Sequence, residues 1–190
     1  SVVVDPLNDY VECLTVEELR RIWEPGSGIK TWDQVRPEVP DRKISLYGPG
    51  TDSGTFDYFT EEIVGEVQAS RADYTASEDD NVLVLGVSGD RNSLGYFGYA
   101  YYIENSDKVR ALGVDAGAGC VLPTRETIEA GEYVPLSRPL YIYVNAESLG
   151  RPEVVAFVEF YMDNAAELAA EVGYIGLSEA EYSANIDAIK

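Results

Sequence analysis

The stretch Lys43-Ile-Ser-Leu-Tyr-Gly-Pro-Gly-Thr-Asp-Ser-Gly-Thr-Phe-Asp-Tyr-Phe-Thr-Glu-Glu-Ile-Val64 decides the fold. Lys43 to Tyr47 alternates like a strand. Three glycines then punctuate a turn, Gly48, Gly50 and Gly54. From Thr55 to Val64 the apolar residues Phe56, Phe59 and Ile63 recur on one helical face. A strand, a glycine turn and a helix in that order make one unit of an α/β layered protein. Such a turn is also the strongest candidate site in the chain. The first amides of a helix lack intrahelical partners and sit at the positive dipole end, so they bind anions without a cationic side chain. Ser53 and Thr55 add hydroxyl donors. The turn is not a Walker loop, since no Gly-Lys-Ser/Thr follows. Its plainer reading is a structural turn in which Asp52 or Ser53 caps the helix.

Working outward, Ser1-Val-Val-Val-Asp-Pro6 reads as a short buried strand that Pro6 ends. Thr15-Val-Glu-Glu18 is a capping box opening a helix with Leu19, Ile22 and Trp23 on its apolar face, stopped by Pro25-Gly26. Ser77-Glu-Asp-Asp80 repeats the capping pattern before an apolar helix, Asn81 to Gly86. Leu94 to Ile103 is aromatic and strand-like, and its tyrosines read as packing residues rather than a ligand-stacking surface. Arg138 to Val144 reads as another buried strand. Pro152 opens a long helix, Glu153 to Val172, and Ser178-Glu-Ala-Glu181 caps a last short one. The final third has no evident sheet of its own, so its strand and helices need partners from elsewhere. Glu78-Asp79-Asp80 is expected to be solvated charge in a helix's first turn rather than a metal cluster.

Composition narrows the function. The 190 residues are 45% hydrophobic and 11% aromatic, enough for a core and unlike a disordered chain. With 14 basic and 34 acidic residues the net charge is −20, which argues against nucleic acid and anionic membrane surfaces as partners. An acidic surface with four lysines suits salty surroundings and ordinary solubility alike. No run approaches the ~20 apolar residues of a membrane span, so no insertion into a bilayer is expected. Histidine is absent, which removes the commonest general base and metal ligand and every Ser-His or Cys-His pair. Cys13 and Cys120 have no metal-ligand spacing; by sequence alone they are a disulfide or two separate thiols.

Gly48-Pro-Gly-Thr-Asp-Ser-Gly-Thr-Phe-Asp-Tyr-Phe59 resembles the phosphate loop of the PstS family, in its SphX-like branch: phosphate-binding proteins of ABC importers. The likeness continues through Leu14-Thr-Val-Glu-Glu-Leu-Arg-Arg-Ile-Trp23, Trp32-Asp-Gln-Val35, Ser70-Arg-Ala-Asp-Tyr-Thr-Ala-Ser-Glu-Asp-Asp-Asn81, Gly95-Tyr-Phe-Gly-Tyr99 and Leu136-Ser-Arg-Pro-Leu140. Five segments in the family's order make it specific.

The resemblance implies an α/β periplasmic-binding-protein type II fold. Residues 1–4 would be the first crossover strand, 5–137 the inserted lobe with the phosphate loop, and 138–190 the second crossover with the C-terminal part of the first lobe. The N-terminal part of that lobe, which brings further ligands in the family, would be missing here. The implied function is that of an extracytoplasmic receptor, periplasmic or on the cell surface, that passes inorganic phosphate to a membrane permease. No enzyme activity, cofactor or metal is expected. Two rivals are a phosphate-ester hydrolase using Ser53 or Asp52, and a non-binding scaffold of the same fold.

Carried over residue by residue, the expected ligands are Thr51, Asp52, Ser53, Gly54 and Thr55. The family's Arg four places before the Ser-Gly-Thr is replaced here by Pro49, and its loop Asp by Thr51. Arg71, oriented by Asp73, is the expected substitute cation; the alternative for it is a structural ion pair with Asp73 or Glu78. Export to an oxidising compartment implies that Cys13 and Cys120 are bonded.

Overall fold

The structure, a computed structural model, describes residues 1–188; the last two residues of the expected 138–190 segment lie outside it. The chain divides into two compact units, Ser1–Ser137 and Arg138–Lys190.

In the first unit, β1 (Val2–Val4) and β2 (Cys13–Thr15) precede α1 (Val16–Trp23) and α2 (Trp32–Val35). Next come β3 (Ser45–Pro49), α3 (Gly54–Phe59), β4 (Thr75–Ser77), α4 (Asp80–Ser88), β5 (Ser93–Tyr96) and α5 (Tyr99–Glu104). Short strands β6 (Arg110–Ala111), β7 (Gly113–Asp115) and β8 (Cys120–Val121) lead to α6 (Arg125–Glu129). The main sheet has the order β4-β3-β5-β1-β6, with β4, β3 and β5 mutually parallel and β1 antiparallel to both its neighbours. A second sheet, β2-β7-β8, is tied by the Cys13–Cys120 disulfide, whose Cα atoms lie 6.1 Å apart.

Alternation along β1 builds a core on each face of the main sheet. Val2 and Val4 join Leu14, Leu19, Ile22, Trp23, Phe59 and Tyr96 on one side. Val3 joins Leu83, Val84, Val87 and Phe97 on the other. Helices on both faces of a mostly parallel sheet are the α/β architecture expected.

The Thr15 capping box forms as read: its hydroxyl accepts from the Glu18 amide and its own amide donates to the Glu18 carboxylate. Three expectations are corrected. The N-cap of α4 is Asp79, not Ser77, because the Asp79 carboxylate accepts from the Asn81 amide while Ser77 ends a strand. The strand expected over 94–103 stops at Tyr96; after Gly98 the chain turns into α5, where the tyrosines line a helix. The helix expected over 55–64 starts as α3 and continues as a π-helical turn, Thr60–Val64, that still buries Ile63.

The second unit holds a 3-10 turn (Ala146–Gly150), α7 (Pro152–Glu171) with proline at its first position, and α8 (Glu179–Asp187) with its capping box at Ser178 and Glu181. The strand expected over 138–144 does not form: no sheet pairing reaches these residues, and Tyr143 is 93% exposed. A strand needs a neighbour for its backbone groups, and none of the described residues supplies one. Val158 is the one buried residue of α7, while Phe157 and Phe160 lie exposed.

Candidate functional site

The glycine turn leaves the carboxyl end of β3, with β4 on one side and β5 on the other. In open α/β sheets that edge, where the chain's strand order changes direction, is where ligands are held. One glycine there is sterically required, and a second lies against the far end of a flexible side chain. A Cβ on Gly48 would meet the Tyr96 ring at 2.9 Å, and one on Gly50 would lie 1.9 Å from Oε1 of Glu78. The turn is anchored from beneath: the Gly50 amide donates to the Ser77 carbonyl at 3.3 Å, and the Tyr74 hydroxyl donates to the Pro49 carbonyl at 2.8 Å.

Ser53 is the N-cap of α3, its Oγ accepting from the Thr55 amide at 3.2 Å. The Ser53 and Asp57 amides are used inside the turn, bonding to the carbonyls of Gly50 and Ser53. Among the described residues the amides of Thr51, Gly54 and Phe56 and the Thr55 hydroxyl have no partner. Thr51, Asp52 and Gly54 are exposed, and Ser53 and Thr55 half-buried. The five loop residues expected from the sequence are thus contiguous at one exposed edge. They present neutral donors that suit an oxyanion.

Arg71 is not part of that edge, which corrects the expectation for it. Ser77 pairs with Pro49 in a parallel register, so Arg71, six residues earlier, lies toward the opposite end of the sheet from the loop. Its amide donates to the Trp23 carbonyl. Its Nη1 donates to the carbonyls of Ile22 and Ile29, both at 2.9 Å, and its Nε and Nη2 hold the Asp73 carboxylate at 2.5 and 3.0 Å. At 4% exposure it is a buried brace for the end of α1. The structural pair with Asp73 is the reading that holds. Those hydrogen bonds from Arg71, with those from Lys30, keep the Asp73 carboxyl well below the usual carboxylate range.

The side chain that does reach the loop is Glu78, which sequence reading assigned to helix capping. Its Oε1 accepts from the Asp52 amide at 3.4 Å. The signal for it was non-local: only the parallel pairing of β3 with β4 puts the residue after Ser77 beside Gly50. Nearby, burial raises the Asp80 carboxyl above its ordinary value, helped by Asp79 and Glu78. No group of three or more acidic, cysteine or histidine side chains among the described residues could hold a metal ion.

Fold and loop together are those of an α/β domain with an exposed glycine turn at the end of β3, and residues 1–165 match the model of the PBP superfamily domain. The chain belongs to that superfamily. It is 56% identical over 186 residues to Protein SphX of Synechocystis, covering 96% of this chain and 55% of that protein. It therefore spans about half the length of the curated relatives it matches. The crystal structure of a possible phosphate binding protein from Planctomyces limnophilus is 44% identical, with a TM-score of 0.90 over 100% of this chain and 67% of that one. An ABC-type phosphate transport receptor from Vibrio cholerae is 26% identical, with a TM-score of 0.71 over 93% of this chain and 68% of its own.

Proposed function

We propose that this chain carries the anion loop of an extracytoplasmic receptor that binds inorganic phosphate and delivers it to the membrane permease of an ABC importer. The observation that carries the reading is the set of donors without a partner among the described residues at the end of β3, the amides of Thr51, Gly54 and Phe56 and the Thr55 hydroxyl, beside the Ser53 hydroxyl whose oxygen caps the helix. The names of the Planctomyces limnophilus and Vibrio cholerae proteins support phosphate as the ligand. The Cys13–Cys120 bond supports export to the periplasm or cell surface, where disulfides persist. A hydrolase is disfavoured because histidine is absent and the hydrogen-bond partner of the Ser53 Oγ is a backbone amide, not a side-chain base.

Neutral donors suffice for an anion at this edge. At physiological ionic strength the Debye length is about 8 Å, so the distant share of the −20 charge is screened there. What acts locally is the helix start and the hydroxyls. Two-lobed receptors surround their anion, and half of such a cage leaves it underpaired, so this chain alone is expected to bind more weakly than a two-lobed relative.

The test is a phosphate titration read by amide NMR and calorimetry, with a chromogenic phosphate-ester assay beside it. Amide shifts confined to residues 51–56, with no turnover, are expected. Turnover, or shifts elsewhere with residues 51–56 silent, would overturn the reading.

A further inference from the structure

The candidate loop already holds an anion of the protein's own. The Glu78 carboxylate fills the space beside Gly50, so closely that a Cβ there would stand 2.7 Å from its Cδ as well as 1.9 Å from Oε1. It accepts from the Asp52 amide, one of the loop's outward donors. None of the ion pairs among the described residues includes Glu78. The acids that follow it, Asp79 and Asp80, carry the same sign. Asp79 is committed to the Asn81 amide. No cation offsets the carboxylate from within the loop, since Pro49 stands at the loop's start and Arg71 is spent at the far end of the sheet.

We propose that Glu78 is an internal competitor for the anion loop, a carboxylate that an incoming oxyanion must displace and that thereby sets the loop's affinity. The inference rests on the reading of residues 51–55 as the phosphate site. Its physical basis is a balance of holds. The single hydrogen bond that keeps Glu78 in place is long, at 3.4 Å, and therefore weak. The residue is exposed, so its carboxylate reaches water by rotating about its own side-chain bonds. An oxyanion meets several donors at once, the amides of Thr51, Gly54 and Phe56 and two hydroxyls, and gains the Asp52 amide when Glu78 leaves. Left in place, the carboxylate repels the ligand across a few ångströms. The loop is consequently shielded from weakly held anions, which cannot dislodge it, while remaining open to one with enough oxygens to engage the whole set.

The experiment is a titration of the chain with inorganic phosphate, followed by backbone amide NMR, for the wild type, Glu78→Gln and Glu78→Ala. Glutamine keeps the shape and an acceptor for the Asp52 amide but removes the charge; alanine removes both. Each variant is expected to bind phosphate about three- to tenfold more tightly, the scale of one charge–charge contact near water. Unchanged affinity in both variants overturns the competitor. Weaker binding overturns it too, and assigns Glu78 to holding the bound anion instead. The two readings fail separately. If phosphate moves the Gly54 and Thr55 amides without any tightening, the site stands and the competitor falls; if those amides stay still in all three proteins, the site itself is wrong and the competitor goes with it.

Discussion

The Tyr58 hydroxyl, projecting from the helix that the anion loop opens, donates to the Pro135 carbonyl at 2.5 Å and lies 3.2 Å from that of Ser137. One side chain thus ties α3 to the last residues of the first unit. A ligand that stiffens the start of α3 therefore acts on the same helix that holds this exit from the unit.

Removing that hydroxyl tests the tie. Tyr58→Phe is expected to cost about 0.5–1.5 kcal/mol, the net worth of one hydrogen bond. Amide exchange over residues 134–138 should quicken while the core around Phe59 keeps its protection. Unchanged exchange at 134–138 would show that other contacts hold the segment.

Arg71→Ala should destabilise the chain by about 2–4 kcal/mol, because two buried carbonyls and one carboxylate lose their donor together. Urea unfolding measures this. Phosphate-induced amide shifts at Gly54 should survive in whatever fraction stays folded, since the guanidinium braces α1 rather than the loop. Loss of those shifts in folded protein would return Arg71 to the ligand set.

Asp73 gives a pH dependence with a definite sign. Its carboxyl is held below its unfolded value by Arg71 and Lys30. The stability it contributes is therefore fully present above the unfolded pKa near 4 and drains away as pH falls through the folded one. Asp73→Asn is expected to be less stable than the wild type at pH 7, with the two converging as the pH drops below about 4. Thermal midpoints from pH 7 down to 2 would reveal it. Parallel curves over that range would contradict the linkage.

The disulfide staples the two strands that flank β7, Cys13 on β2 and Cys120 on β8, across 107 residues of chain. Replacing both cysteines by alanine should lower stability by about 2–5 kcal/mol, and reductant should do the same to the wild type. An unfolding midpoint indifferent to reductant would mean that the small sheet holds without the bond.

Much of the candidate loop's local structure was legible because it is made between near neighbours in the chain. Ser53 caps the helix that follows it, and the Thr15 and Ser178 boxes form where they were read, because a cap is made between residues two or three apart. The α/β class followed from the strand, turn and helix between Lys43 and Val64. Non-local terms decided the errors. Leu94 to Ile103 carries strand-like aromatics throughout, yet pairing with β3 and β1 ends at Tyr96 and the remainder coils into α5. Arg138 to Val144 has the composition of a buried strand and joins neither sheet among the described residues.

What the amino-acid sequence determined by itself is the set of short-range choices: where helices begin, which faces are apolar, where glycine lets the backbone turn, and that no histidine is on hand for any of them. Only the tertiary structure decided which charges face the anion loop. Arg71 and Glu78 are seven residues apart on either side of β4, and from the sequence the first is expected at the loop and the second in a solvated helix start. The parallel register of β4 against β3 carried the carboxylate to the loop and left the guanidinium at the far end of the sheet, beneath α1. Strand register is a sum of pairings between distant residues and leaves no mark on the local spacing of either partner.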